Sequence, residues 1–482
     1  MNMRIWMILG CVLVGSGCSR AFIIEPVAGQ EIERGIPDNQ LLSIGVCLSG
    51  GGYRATVYHL GALWRLNELG MLEEVESITS VSGGSILAGH LGLIWDRLNF
   101  VDGVAENFEE EVVRPILSLV SKTVDLPSIV VGAFTPSTAS KAFASRLNRY
   151  LFNDHRLTDF TDTGPRINIL STMLQTQGVW RFSRDSMGGG NFGRLPPGDT
   201  QVAHAVAASA AFPPFLAPLT IDISNLPGVE RAWRERKRVF NPTAERLAFL
   251  EQKGNNLKSI SRSLQLGDGG IVNNIGSDGC LDVDIKNAVF VSSASSLNTD
   301  ITSVRHNWLS VGLKSIDVTY DAKEEFLLQS FFKDERNEGR TVIFSRLKDF
   351  DTLDRQIAGN EKVFQVLEAL SNGDHFEADW AKKIIHQWRK QPDDVYDAME
   401  RSALNVVTTA SIRTALKSLS VAEQESILNA GYIIAENSVK DSINRAQNLR
   451  QSTPEKSYKN AAPSWIPNYW TAVPSAIKIG SK

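Results

Sequence analysis

The chain moves between two rhythms of apolar and polar positions. Residues 41–49, LLSIGVCLS, form a short and nearly continuous apolar run, the pattern of a buried strand. Three glycines end it. Over ATVYHLGALWRLNELG the apolar residues recur at helical spacing, at Val57, Leu60, Leu63, Leu66 and Leu69, and Gly70 suits a helix C-terminus. The stretch VESITSVSGGSILAGHLGLIW repeats the sequence of strand, tight turn and helix. Two such units in succession predict an α/β fold with a parallel sheet.

Downstream, residues 101–160 read as mostly helical around an apolar patch, LPSIVVGAFTP. RINILSTMLQT (166–176) reads as a strand, residues 185–200 as a Gly/Pro loop, and QVAHAVAASAAF as a helix halted by Pro213 and Pro214. SLQLGDGGIVNN (263–274) is a strand running into a glycine turn, and residues 287–294 and 340–347 are further strands. From about 355 to 447 the pattern is helical, and the last thirty residues have no clear period. There is no internal repeat, and no linker separates the halves, so the helical part is expected to pack on the sheet. The expected organisation is a signal at 1–18, a polar tether at 19–40, an α/β domain at 41–350, a helical region at 351–450 and an irregular tail at 451–482.

Composition adds bounds rather than detail. A chain of 482 residues with 43% hydrophobic and 22% charged content buries a core. Its net charge of -4 gives no field that points to nucleic acid. One segment departs from this balance: residues 230–262 carry nine cations against four anions, with Trp233 and Phe240 among them. A solvated insertion between strands is the favoured reading, and contact with an anionic lipid surface is the alternative. At the N-terminus, Arg4 precedes an apolar run from Ile5 to Val14 and then the small residues Gly15-Ser16-Gly17 before Cys18. That is the layout of a secretory signal, with an apolar run of about ten residues, too short to span a bilayer of roughly 30 Å. Small residues before a cysteine resemble a bacterial lipoprotein signal, in which Cys18 is acylated. Cys11 competes as the site, and an ordinary cleaved signal or an anchor helix remain open. Only Cys47 and Cys280 lie in the body of the chain. Two cysteines make no disulfide framework, and Cys47 reads as a small buried hydrophobe. No cysteine and histidine cluster has metal-ligand spacing, and no cofactor is implied.

The chemistry gathers at three turns. Ser82 lies between a strand and a helix, in SVSGGS, the setting of a nucleophile elbow in which a tight turn exposes the hydroxyl. Gly50, Gly51 and Gly52 also lie between a strand and a helix, where bare N–H groups can face an anion. A phosphate loop would carry Lys-Ser/Thr after the glycines, but Tyr53-Arg54-Ala55-Thr56 follows instead. An oxyanion hole needs only donors aimed at a developing alkoxide. Arg54 could reinforce that field or hold a phosphate headgroup. A nucleophilic serine needs a base. His306, His375 and His386 stand in no clear turn after a strand. His90 is two helical turns from Ser82, about 11 Å, and His59 reads as packing. Asp268, at a strand end on a turn freed by Gly269 and Gly270, is better placed.

In that order, SGGGYRA, SVSGGS, AVAASAAFPPF and DGG resemble the patatin-like phospholipase family, and the first block is also similar to the cytosolic phospholipases of eukaryotes. The resemblance covers roughly residues 40–300. It implies a three-layer α/β/α domain with a mainly parallel central sheet, here followed by a packed C-terminal helical region. It implies Ser82 as nucleophile and Asp268 as its base, an oxyanion hole at the triple glycine with the N–H groups of Gly51 and Gly52, and Arg54 in support. Ser209, Phe212 and Pro213 would belong to the wall of the substrate pocket. The pattern departs at Ser80, where the elbow has glycine, and at Ser49 and Ala55, where the plant type has Asp and Gly. The implied activity is hydrolysis of a phospholipid or other lipid ester at a membrane surface, without cofactor, metal or nucleic acid. A lipoprotein anchor would place it at the outer membrane, on the periplasmic face. A carboxylesterase, a lipase or an acyltransferase for neutral esters is the alternative within enzymes, and a non-catalytic lipid-binding lipoprotein the alternative outside them. No protein partner is indicated.

Overall fold

The computed structural model describes residues 21–28, 44–122, 136–189, 193–213, 216, 218–229, 260–280, 288–294, most of 323–331, 341–347, 416 and 418–452. Its elements in chain order are β1 (Phe22–Ile23), β2 (Ile44–Leu48), α1 (Gly52–Glu68), β3 (Val75–Val81), α2 (Gly83–Ile94), β4 (Phe100–Val101), β5 (Val104–Ala105), α3 (Arg114–Val120) and α4 (Pro136–Leu147). There follow β6 (Arg166–Met173), β7 (Gly178–Phe182), β8 (Met187–Gly189), β9 (Gly193–Leu195), α5 (Val202–Ser209), β10 (Leu219–Asp222) and β11 (Leu264–Asp268). The last are α6 (Gly270–Asn273), α7 (Ser277–Cys280), β12 (Ala288–Ser293), β13 (Thr341–Arg346) and α8 (Val421–Ser452).

Among the described residues, eleven strands form one mixed sheet, with pairing along β1-β10-β11-β6-β3-β2-β12-β13 and the meander β7-β8-β9 branching from β6. From β13 to β6 all pairs are parallel. Such strands are buried on both faces, which is why β2 reads as an unbroken apolar run. Alternate side chains serve two cores. Ile44, Val46 and Leu48 of β2, Phe290 of β12 and Ile343 of β13 join a large cluster with α1, α2, α5 and α8. Cys47, Val289, Val291 and Val342 point the other way, to Ile275, Cys280, Leu328 and Phe331. Helices on both faces of one sheet give the expected three layers.

Helix α8 packs along α1 and onto β13, so the described part of the helical region lies on the α/β fold. Two glycines permit the approach. A Cβ at Gly61 would sit 2.0 Å from the Leu428 carbonyl, and one at Gly431 would sit 2.0 Å from the Tyr58 carbonyl. Beside this crossing Arg65 bridges Glu68 at 2.9 Å and Glu436 at 3.3 Å.

Several local expectations need correction. The Gly/Pro stretch 185–200 contains β8 and β9, because glycines there allow the meander to close: a Cβ at Gly188 would meet the Gly193 carbonyl at 1.9 Å. A small hairpin, β4–β5, interrupts the stretch expected to be helical. Phe22 and Ile23, expected in a free tether, pair in parallel with Ile221 and Asp222 at the sheet edge. Helix α8 continues to Ser452, past the expected start of the tail. Cys47 is buried as expected, yet it is joined to Cys280 by a disulfide across 233 residues, with Cα atoms 5.8 Å apart. Residues 1–20, 29–43, most of the basic segment 230–262, residues 348–415, and 453–482 lie outside the described residues, so the expectations for those stretches do as well.

Candidate active site

Ser82 and Asp268, the expected nucleophile and base, meet along one edge of β6. Leu170 pairs with Val81 in parallel, and the next residue, Ser171, pairs with Asp268 in antiparallel. Both also pair with β7, through Arg181 and Trp180, so β7 holds the other edge. Strands β3 and β11 therefore run toward each other along the free edge and end face to face. Ser82 is the first residue after β3, and Asp268 is the last of β11. Ligand sites in open α/β sheets form outside the carboxyl ends of the strands.

Ser82 sits at φ 50° and ψ −117°, a backbone that non-glycine residues avoid. Strain of this kind costs on the order of 1–3 kcal/mol and persists only where the surroundings impose it. The surroundings here are close. A Cβ at Gly83 would stand 2.0 Å from the Gly52 carbonyl, and one at Gly50 would stand 3.2 Å from Cβ of Ser82. The elbow and the glycine loop thus touch backbone to backbone, and Thr56 Oγ1 adds a bond of 2.8 Å to the Gly83 carbonyl. Ser82 also stands at the N-cap position of α2, whose dipole favours negative charge beside it.

The Gly270 N–H donates to Asp268 Oδ1 at 2.7 Å, and the neighbouring Ser82 side chain also favours the ionised carboxylate. Burial outweighs both and pushes the carboxyl up to about 6. Asp268 is only 4% exposed and Ser82 8%. The Asp268 N–H donates to the Ala211 carbonyl at 3.0 Å and the Gly269 N–H to the Ser209 carbonyl at 3.0 Å. Block 209–213 therefore lies against the aspartate turn, with Phe212 and Pro213 half-buried beside it. Ser209 itself is fully buried rather than set in an open wall.

The glycine loop divides its work. The Gly50 N–H is spent on the Asn274 carbonyl at 3.1 Å, which corrects its expected place among the oxyanion donors. Gly51, at φ 138°, and Gly52 open α1, where first-turn N–H groups have no helical carbonyl to bind. Arg54 is buried one turn on and donates from Nη2 to the Ala294 carbonyl at 2.9 Å. Burial lowers its guanidinium to about 10, so it remains a cation at neutral pH.

Residues 46–281 match the sequence model of a family described as patatin-like phospholipase. This stretch is a patatin-like phospholipase domain. It holds every site residue named above, from Gly50 to Asp268, with the wall block between them. The chain is also similar to solved structures at low identity. Human GIVD cytosolic phospholipase A2 in complex with methyl gamma-linolenyl fluorophosphonate is 12% identical over 87% of this chain and 60% of that one, with a TM-score of 0.41. VipD from Legionella pneumophila is 11% identical over 86% of this chain and 88% of that one, with a TM-score of 0.25. The chain spans 52–60% of the length of the human phospholipase chains. Curated protein sequences contain no match to it.

Around the patatin-like site stand residues to which the sequence gives no supporting role. His59, expected to serve packing, is buried under the glycine loop, with Nε2 2.9 Å from the Ser49 carbonyl and Nδ1 2.7 Å from Ser292 Oγ. A carbonyl only accepts, so Nε2 carries the proton and Nδ1 accepts from Ser292. Burial lowers this imidazole to about 4 and keeps it neutral. Ser49 Oγ accepts the Ala294 N–H at 3.0 Å, which ties the loop to the end of β12 where Arg54 is also anchored. Asn274 holds Gly50 through its carbonyl. Its only sequence signal was its place just past the Asp-Gly-Gly turn. His90 Nε2 bonds the Glu111 carbonyl at 2.8 Å. His306, His375 and His386 lie outside the described residues.

Proposed function

We propose that the chain is a serine acyl-ester hydrolase of membrane lipids, of the phospholipase A or lysophospholipase type. One observation carries this reading: Ser82 and Asp268 stand at the ends of two strands that meet on one edge of β6, where burial raises the Asp268 carboxyl to about 6 and improves it as a base. Asp268 takes the Ser82 proton as Oγ attacks the ester carbonyl carbon. The carbonyl oxygen becomes an oxyanion that faces the N–H groups of Gly51 and Gly52, with the Arg54 cation nearby. Each such donor supplies about 3–4 kcal/mol of transition-state stabilisation. Collapse breaks the ester C–O bond, and the leaving alcohol takes the proton back from Asp268. Water then attacks the acyl-enzyme, gives its proton to Asp268 and returns free Ser82 and a fatty acid.

The membrane assignment rests on the N-terminal layout of cation, apolar run, small residues and Cys18. In this proposal acylated Cys18 tethers the enzyme at the periplasmic face of an outer membrane. Among the described residues no helix is long and apolar enough to cross a bilayer. The test is a product profile on phosphatidylcholine and phosphatidylethanolamine vesicles. The wild-type chain should release fatty acid and lysolipid, and Ser82→Ala should release neither. Hydrolysis confined to neutral esters would overturn the phospholipid assignment, and no reaction with any ester would overturn the enzyme.

A further inference from the structure

Ser209 joins both halves of the dyad to the strand between them. Its Oγ lies 2.8 Å from the Ser82 N–H, 2.6 Å from the Leu170 carbonyl and 3.0 Å from Ser85 Oγ. The directions of these bonds are fixed by chemistry. The Ser82 N–H can only donate and the Leu170 carbonyl can only accept, so the Ser209 proton goes to Leu170. Its remaining lone pair takes the Ser85 hydroxyl proton. One donor and two acceptors are then all in use, and the side chain is 0% exposed. The Ser209 carbonyl meanwhile accepts the Gly269 N–H at 3.0 Å, next to Asp268. Leu170 is the β6 residue paired with Val81, immediately before Ser82.

We propose that Ser209 is a positioning residue that sets the Ser82-to-Asp268 geometry, rather than a residue of the pocket wall. The inference rests on the dyad reading given above. The backbone of Ser82 is held at positive φ, and its N–H has one acceptor, Ser209 Oγ. A conformation that strained needs such a tether to stay populated. Through its carbonyl the same residue fixes the turn that carries the base. One buried serine thus references nucleophile and base to the same point on β6. A small displacement of a reacting group costs rate out of proportion to its size, up to about a hundredfold for 1 Å.

The test compares Ser209→Ala, Ser85→Ala, their double variant and Thr200→Val with the full-length wild-type chain. Thr200 loses a buried hydroxyl bond of similar kind, 2.6 Å to the Pro197 carbonyl, near the start of α5 and outside the dyad's contacts. Each protein is assayed on a soluble chromogenic ester and with a fluorophosphonate probe, and its thermal midpoint is measured. Wild-type labelling at Ser82 comes first; its absence would sink the dyad reading itself. Given labelling, Ser209→Ala should lower kcat roughly 10- to 100-fold with KM within about twofold. Labelling should slow in parallel. Ser85→Ala should lower kcat roughly 3- to 10-fold, and the double variant should match Ser209→Ala, because Ser85 acts through Ser209. Thr200→Val should keep the wild-type kcat at a similar loss of midpoint. Raised KM at unchanged kcat would return Ser209 to the pocket wall and overturn the proposal. If Ser209→Ala does not fold, an unchanged kcat in Ser85→Ala overturns it as well.

Discussion

Acidification should switch the enzyme off one proton at a time, with a midpoint set by the burial of Asp268. The carboxyl is raised from 3.8 to about 6 by burial. A base with that pKa is about nine-tenths ionised at pH 7, about one-tenth at pH 5 and about one-hundredth at pH 4. The kcat/KM for a soluble ester should therefore fall about tenfold between pH 7 and 5, along a limb of unit slope. An aspartate at its ordinary value would lose less than about a tenth of its activity over the same span. Unfolding has to be separated from titration. His59, His90 and His204 are each lowered to about 4 by burial, so the unfolded chain binds their protons first as pH falls from 6.5 toward 4. Their contribution to stability is present above 6.5 and is lost through that window. Asp268 acts in the opposite sense, since the folded state holds its proton more tightly between 3.8 and 6. Tryptophan emission, sensitive to fully buried Trp180, and recovery of activity on return to pH 7 mark the range in which the chain stays folded. A rate that holds flat to pH 4.5 within that range would refute the assignment of Asp268 as a buried base. So would a limb steeper than one proton.

Asp268→Asn keeps an acceptor for the Gly270 N–H but removes the base; kcat should fall at least a thousandfold with the thermal midpoint nearly kept, and a near-normal rate would point to another base. Gly61→Ala puts a Cβ 2.0 Å from the Leu428 carbonyl on α8; a thermal melt should show a loss of at least about 1–3 kcal/mol, and an unchanged melt would mean that the α1–α8 crossing is looser than described. Cys18→Ser should move the protein from the membrane fraction to the soluble fraction on fractionation, and unchanged partitioning would show that Cys18 is not the anchor.

What could be read from the chain was set by local signals. Strand, glycine turn and helix follow one another at 44–68 and 75–94, so the two elbows were visible from period and breakers alone. Asp268 was visible because an Asp-Gly-Gly turn after an apolar run marks a strand end. The short strands β7, β8, β9 and β10 gave too little period to see, and β8 pairs through glycines that carry no strand propensity. Other features depend on partners far along the chain. Gly61 and Gly431 are ordinary helix residues until α8 is laid on α1. Cys47 looked like a small hydrophobe because nothing local announces Cys280. Ser209 was assigned to a wall because its neighbours Phe212 and Pro213 belong to the block. Its own bonds, to residues 39 and 127 positions away, follow only from β3 and β11 meeting on one edge of β6. The same long-range closure leaves the Gly50 N–H bonded to the Asn274 carbonyl, so the proposed oxyanion role falls to Gly51 and Gly52.

The central claim is that Ser82 is a nucleophile activated by Asp268, and covalent trapping tests it most directly. The full-length chain would be treated with a fluorophosphonate probe at pH 7.5 and the adduct located by peptide mass spectrometry. The account predicts a single adduct on Ser82, none in Ser82→Ala, and labelling of Asp268→Asn slowed at least a hundredfold. An unlabelled wild type, an adduct on another serine, or equal labelling of Ser82→Ala would contradict it.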